Sequence, residues 1–203
     1  LTSGVINPIG SARLRDIELL LPEVRGAFRG LVLAGNPKFF SIGLDLPELL
    51  ALDRDGMADF WRRFEDLVLA IYTNPLPTAC AIAGHAPAAG TILAIACDFR
   101  FLATGKKLIG LNEITIGLPV PFLADLMLRQ AVGDRAATEI EYSGDLIVPE
   151  KAEAIALVDA LYPEGDVEPK AIAKISALIE RPPFGFSLTK QHRTRDIRSQ
   201  FLS

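Results

Sequence analysis

A chain of 203 residues has the length of one domain, or of one domain with an appendage, and with half of those residues hydrophobic it can bury a sizeable core. Its formal net charge of -4 excludes both the basic excess of a nucleic-acid binder and the acidic excess of a solvating tail. Cys80 and Cys97 stand far apart, in no CxxC spacing, and read as buried free thiols in a reducing compartment, with no disulfide or zinc framework.

The opening LTSGVINPIG has no basic segment followed by an apolar run, so no signal peptide is expected there. LRDIELLL, residues 14–21, carries apolar residues at helical spacing. GLVLAG, residues 30–35, predicts a buried strand ending in a loop, and LPELLALD a helix after it. A stronger helix is expected over residues 59–72, DFWRRFEDLVLAIY. Phe60, Trp61, Phe64, Leu67, Val68 and Ile71 share one face there, with Arg62, Arg63, Glu65 and Asp66 largely opposite. TNPLP ends it.

ACAIAG predicts a second buried strand, and AAGTILAIA a helix apolar on all sides and therefore internal. Residues 76–97 contain no Lys, Arg, Asp or Glu and have the length of a membrane span, but Pro77, His85 and Pro87 interrupt them. Strand, turn and helix is the better reading. FRFLA predicts a third strand and GKK a turn. A helix starting near Pro121, FLADLMLRQAV, is followed by the segments GDRAATEIEYSG and PEKAEAIALV. VDALYP predicts a late strand and DVEPKAIAKISALIE an amphipathic helix, and the end from Phe186 is polar and basic. Strand and helix alternate, which argues for an α/β chain, without heptads, low-complexity tracts or short repeats.

One stretch carries the chemical question. In LIGLNEITIGLPVPFLA, residues 108–124, Glu113 is the only charged residue. An ionised carboxylate taken out of water is costly unless something pairs with it. On the local sequence alone, the ordinary reading is a solvent-facing residue at a helix start, because charged side chains are rarely fully buried. Two glycine-punctuated turns give the alternative: FFSIGLDL, residues 39–46, and AGHAPAAGTILAIACD, residues 83–98. Each sits at a strand end with a helix to follow. Small residues let a ligand approach the backbone, and a helix start offers free N–H groups to developing negative charge. Two such turns and one isolated carboxylate suit proton abstraction beside a carbonyl.

Taken in order, GLVLAG, FFSIGLDL, NPLPTACAIAGHAPAAGTILAIACDFRF, IGLNEITIGLPVP and VGDRAATEIEYSGDLIVPEKAEAIALVDALYP resemble the crotonase (enoyl-CoA hydratase/isomerase) family. APAAG and IGLNE are most like its Δ3,Δ2-enoyl-CoA isomerases. The resemblance implies a crotonase spiral of repeated β-β-α units, with an α/β core over residues 1–140 and a helical C-terminal segment over 141–203. It implies that the backbone N–H groups of Ile42 and Ala89 form an oxyanion hole and that Glu113 is the catalytic base. Ser41, Gly43, Asp45, Leu46, Ala88, Gly90, Pro119 and Phe122 would flank the substrate. Ile92 stands where hydratases carry their first glutamate, so isomerisation of a 3-enoyl-CoA is favoured over hydration. A non-catalytic acyl-CoA-binding member, or another thioester reaction of this fold, is the alternative. No metal or redox cofactor is implied, since coenzyme A enters with the substrate. No nucleic-acid or membrane partner is implied either. A homotrimer or dimer of trimers is expected, in the bacterial cytoplasm or else the mitochondrial matrix.

Other residues have plainer readings. Ile42's side chain is expected in the core, Asp45 as a helix N-cap, and Asp98 as a partner of backbone or an arginine. His85 reads as a hydrogen-bonded structural residue, and no Ser or Cys has an obvious His partner for a triad. The helix with Trp61 is core or acyl-tunnel wall. The tail KQHRTRDIR reads as a solvated helix face, with the phosphates of coenzyme A as its functional alternative. The likeness departs in three places: the family's first strand is missing before GVINPIG, the C-terminal helices stop short at Phe201, and Ala89 replaces a glycine. An alanine there is costly if the backbone needs a positive φ.

Overall fold

The computed structural model describes residues 4–203. β1 (Pro8–Ile9) leads into α1 (Ser11–Ala27), which continues the predicted LRDIELLL helix through Pro22. Next come β2 (Leu31–Ala34), β3 (Gly43–Leu44), α2 (Leu46–Leu50) and α3 (Arg54–Tyr72). The same order recurs in β4 (Thr78–Ile82), β5 (Ala86–Pro87) and α4 (Ala89–Ile95). It recurs again in β6 (Phe99–Ala103), β7 (Ile109–Gly110), a 3-10 turn at Glu113–Ile116, α5 (Phe122–Val132), α6 (Asp134–Ser143) and α7 (Pro149–Ala154). β8 (Ala160–Tyr162), α8 (Val167–Ile179) and α9 (Pro183–Leu202) complete the described chain.

One strand of each repeat joins a parallel sheet in the order β2-β4-β6-β8, while β1-β3 and β5-β7 form two small parallel pairs. Parallel neighbours need crossover connections, which the helices supply. Central β4 is buried along its whole length. Its period of two sends Ala79 and Ala81 toward α8, where Val167, Ala171 and Ile175 meet them, and Cys80 and Ile82 into the main core. β2, expected to be buried, is half-buried because it is the sheet's edge. The predicted internal helix is α4, all seven residues of which are buried. α3 begins before residue 59 because the Asp53 side chain caps it, accepting from Gly56 N–H at 2.8 Å. Phe60, Phe64, Leu67, Val68 and Ile71 are buried as the spacing predicts.

α6 runs across residue 140, and β8, which precedes the C-terminal helices α8 and α9, is the fourth strand of the sheet. One expectation is corrected here. The tail is not wholly a solvated face, because α9 buries Lys190, Thr194 and Ile197. Lys190 Nζ donates to Asp98 Oδ2 at 2.8 Å and to the Leu76 carbonyl at 3.2 Å. Asp98 thus satisfies backbone, as expected, accepting from the Thr78 N–H at 2.8 Å, and also accepts from the Thr78 hydroxyl at 3.0 Å; its ionic partner is a lysine rather than an arginine. Among the described residues, no helix is long and apolar enough to cross a membrane. Both cysteines are buried free thiols.

Candidate active site

Strand register builds the site. β5 and β7 pair with Pro87 opposite Gly110, so their carboxyl ends lie side by side. The chain leaves β5 through Ala88 into α4, and leaves β7 through Asn112 into the turn headed by Glu113. The Thr91 hydroxyl ties the two, donating to the Ala86 carbonyl at 2.5 Å and accepting from Gly110 N–H at 2.8 Å. The FFSIGLDL turn closes on the same point. A Cβ on Gly43, whose φ is 104°, would stand 3.1 Å from the Ala88 methyl, and one on Gly90 would stand 2.8 Å from the Ser41 carbonyl. Glycine at these two positions is what lets the turns meet.

Beside this junction lies a cavity of about 280 Å³. Ile42, Leu44, Leu46, Trp61, Phe64, Pro87, Ala88, Ala89, Ile92, Asn112, Glu113, Ile116, Leu118, Pro119, Pro121 and Leu146 line it. Glu113 is the only ionisable side chain among them. It is 8 % exposed, and its Oε2 is buried without a hydrogen-bond partner among the described residues. The solvent-facing reading is thereby overturned. Burial raises the carboxyl pKa above the ordinary 4.5, because the apolar wall solvates the charge poorly. A base must be ionised to act. The acid limb of the kcat/KM profile is therefore expected to lie above 4.5, with activity lost as pH falls through it; steady-state rates across pH check this.

The backbone donors differ from each other. Ala89 is the first residue of α4, so its N–H has no acceptor within the helix. The Ile42 N–H is occupied, donating to the Ile6 carbonyl at 2.9 Å. Of the expected pair of open donors, one thus has no acceptor among the described residues and the other is engaged. The cause lies in Asn7, a buried residue with φ 48°. Its Nδ2 donates to the carbonyls of Phe39 and Phe40 at 2.9 and 3.3 Å, and its own carbonyl accepts from the Ser41 hydroxyl at 2.8 Å. This clamp brings the preceding carbonyl onto Ile42. The Ile42 side chain, expected in the core, is 37 % exposed and lines the cavity.

The strain feared at Ala89 sits one residue earlier. Ala88 has φ 51° and ψ −123°, a region that glycine adopts without cost, while Ala89 is helical. Ala88→Gly is expected to stabilise the fold by about 0.5–1 kcal/mol, the relief of strain outweighing glycine's larger loss of chain entropy. Denaturant titration measures it.

Of the residues assigned to substrate, Leu46, Ala88 and Pro119 line the cavity. Gly43 and Gly90 stand behind its wall, and the Ser41 hydroxyl is used internally, accepting from Gly43 N–H at 3.1 Å. Asp45 caps α2, accepting from Glu48 N–H at 3.2 Å, and does not reach the cavity. Phe122 opens α5, largely exposed and outside the lining. Ile92 presents an apolar side chain, and Trp61 is cavity wall. His85 lies outside the cavity lining; its backbone N–H donates to the Lys38 carbonyl at 3.0 Å, its ring lies 5.2 Å from that of Phe39, and burial and Lys107 lower its pKa. Sequence reasoning did not assign Leu44, Pro87, Asn112, Ile116, Leu118 and Leu146 to the site. All six lie inside the quoted motifs, and Leu146 reaches the cavity only because packing brings its loop, between α6 and α7, onto the wall.

The chain matches the enoyl-CoA hydratase/isomerase family model over residues 5–202. It is 32 % identical to human mitochondrial enoyl-CoA delta isomerase 1 over 202 residues, 98 % of this chain and 67 % of that protein. To the mouse protein of the same name it is 34 % identical over 189 residues, 91 % of this chain and 65 % of the relative. The chain thus spans about two thirds of the length of these relatives. The crystal structure of human mitochondrial Δ3-Δ2-enoyl-CoA isomerase superposes with a TM-score of 0.95 at 30 % identity, over 98 % of this chain and 79 % of that one. An enoyl-CoA hydratase from Bacillus anthracis superposes with a TM-score of 0.85 at 25 % identity, over 95 % and 80 %. Its motifs, spiral and matches agree: the chain belongs to the enoyl-CoA hydratase/isomerase (crotonase) family.

Proposed function

We propose that the protein is an acyl-CoA isomerase that moves the double bond of a 3-enoyl-CoA to the 2-position. The observation that carries this reading is a single buried carboxylate, Glu113, in an otherwise non-ionisable cavity whose wall holds Ile92. Positioning and activating a water for hydration is work for two carboxylates, whereas one suffices to move a proton between C2 and C4.

The acyl chain lies along Trp61, Phe64 and Ile92, with its thioester oxygen at the Ala89 N–H. Glu113 removes a C2 proton, and the negative charge spreads over the dienolate and onto the thioester oxygen. Backbone N–H groups hold that charge, each worth about 10²- to 10³-fold in rate. Ile42 joins Ala89 in this role when the thioester oxygen takes the place of the Ile6 carbonyl. Protonated Glu113 then returns the proton at C4, giving the conjugated 2-enoyl-CoA. The scheme needs no metal or redox cofactor, and coenzyme A enters as part of the substrate. A trimer-based homo-oligomer completes the proposal, supported by the exposed apolar Phe184, Leu188 and Leu202 on α9.

The test is turnover of 3-hexenoyl-CoA, read as absorbance of the conjugated thioester. Accumulation of the 2-enoyl product supports the isomerase. The engaged Ile42 N–H favours a second reading, acyl-CoA binding without turnover. Tight binding with no product would establish that reading instead.

A further inference from the structure

The hydrogen bond that engages Ile42 does not belong to the β1–β3 ladder. A strand donates to one neighbour from alternate residues, and here the Asp45 N–H donates to the Ile9 carbonyl at 3.1 Å. Gly43 comes next in that alternation, but its N–H goes to the Ser41 hydroxyl at 3.1 Å. Asn7 has left the strand there, with φ 48°. Ile42 stands out of step with the ladder, and the Ile6 carbonyl meets its N–H at 2.9 Å because the chain turns at Asn7. Residues 4–6 thus form a short turn against the FFSIGLDL segment. Buried Asn7 is its fixed end, with Nδ2 on the Phe39 carbonyl at 2.9 Å and its own carbonyl on the Ser41 hydroxyl at 2.8 Å. Val5 and Ile6 are exposed, so closing the turn buries little apolar surface. Asn36 Nδ2 holds it down, donating to the Val5 and Gly4 carbonyls at 3.0 and 3.4 Å. Asn36 Oδ1 has a separate task, accepting from the Lys38 and Phe39 N–H groups at 2.9 and 2.8 Å and so shaping its own loop.

We infer that residues 4–6 are a strap that closes the Ile42 side of the oxyanion hole, with Asn36 as its latch, and that an acyl-CoA thioester opens it by taking the Ile42 N–H from the Ile6 carbonyl. This rests on the acyl-CoA reading above, in its isomerase or its binding form. At Ile42, opening exchanges one carbonyl acceptor for another, so the cost of opening lies in the Asn36 contacts. A ligand that binds only the open form has its affinity reduced by the fraction of molecules that are open. Ligand at saturation holds the strap open. The latch therefore acts on affinity and leaves kcat alone.

Asn36→Asp separates the two tasks of Asn36: a carboxylate still accepts from Lys38 and Phe39 and cannot donate to Gly4 and Val5. The ligand is hexanoyl-CoA, which carries the thioester carbonyl and has no double bond to shift. Calorimetric titration gives its Kd for wild type and Asn36→Asp. A nitroxide on Val5→Cys reports the mobility of the strap, since Cys80 and Cys97 are buried and stay unlabelled. Asn36→Asp is expected to bind hexanoyl-CoA about 2- to 10-fold more tightly than wild type. The nitroxide spectrum is expected to sharpen when hexanoyl-CoA is added, and to be sharp without ligand once Asn36→Asp is combined with the label. Equal or weaker binding by Asn36→Asp overturns the latch. A spectrum that stays broad with hexanoyl-CoA bound overturns the strap and leaves the acyl-CoA reading standing. Absence of binding by both proteins has a different signature: it sinks the acyl-CoA reading, and the strap with it.

Discussion

Glu113→Gln is expected to lower kcat for the double-bond shift by about 10²- to 10⁴-fold while acyl-CoA binding persists. Glutamine matches the shape of glutamate and cannot take a proton, and among the described residues no other ionisable side chain lines the cavity to replace it. The same substitution is expected to raise the melting temperature near neutral pH. Burial lifts the folded-state pKa of Glu113 above its unfolded value, so the folded protein holds that proton more tightly. The stability this confers is present below the unfolded pKa and is lost as pH rises through the folded one. Above that range an ionised Glu113 with an unpartnered oxygen burdens the fold, and glutamine removes the charge. Wild type and variant should converge in stability in acid. Loss of activity together with gained stability marks a base placed for chemistry at the expense of the fold. Unchanged turnover would remove Glu113 from the mechanism.

Asp98→Ala is expected to cost about 3–5 kcal/mol, the range for removing one partner of a buried ion pair. Lys190 is buried, its pKa lowered by burial and partly restored by Asp98. Without the carboxylate, its ammonium retains only the Leu76 carbonyl at 3.2 Å and the Thr78 hydroxyl at 3.4 Å, and Thr78 N–H loses its acceptor. In a domain of this size the melting temperature should fall by about 10 °C. A companion Lys190→Met substitution should recover much of the loss, because it removes the stranded charge. Failure of the double variant to recover would mean that the cost lies in the Thr78 contacts and not in the ion pair. The pair joins the start of β4 and the end of α4 to α9, so its loss loosens the docking of the last helix.

Much of the fold follows from local pattern. Alternation of aliphatic runs with helical periodicity predicts the parallel α/β layout, because each strand buried on both faces needs a run and each crossover helix needs a stripe. AAGTILAIA contains no polar face, and α4 has none to show. The positive φ falls at Ala88, where β5 turns into α4, and not at Ala89, because a φ value is not written in residue type.

By itself the sequence determined that Glu113 is the one charged residue of an apolar stretch, that two small-residue turns punctuate the chain, and where the long helices and the four strands of the main sheet fall. Composition and period report burial, and burial is a property of each residue and its near neighbours. The tertiary structure alone decided which groups meet. It placed the Ile6 carbonyl on the Ile42 N–H, Lys190 on Asp98 and Leu146 in the cavity wall. Hydrogen bonds and ion pairs act over a few ångströms through space, between residues that the chain keeps far apart. Their partners are therefore set by packing and register, which no local stretch encodes.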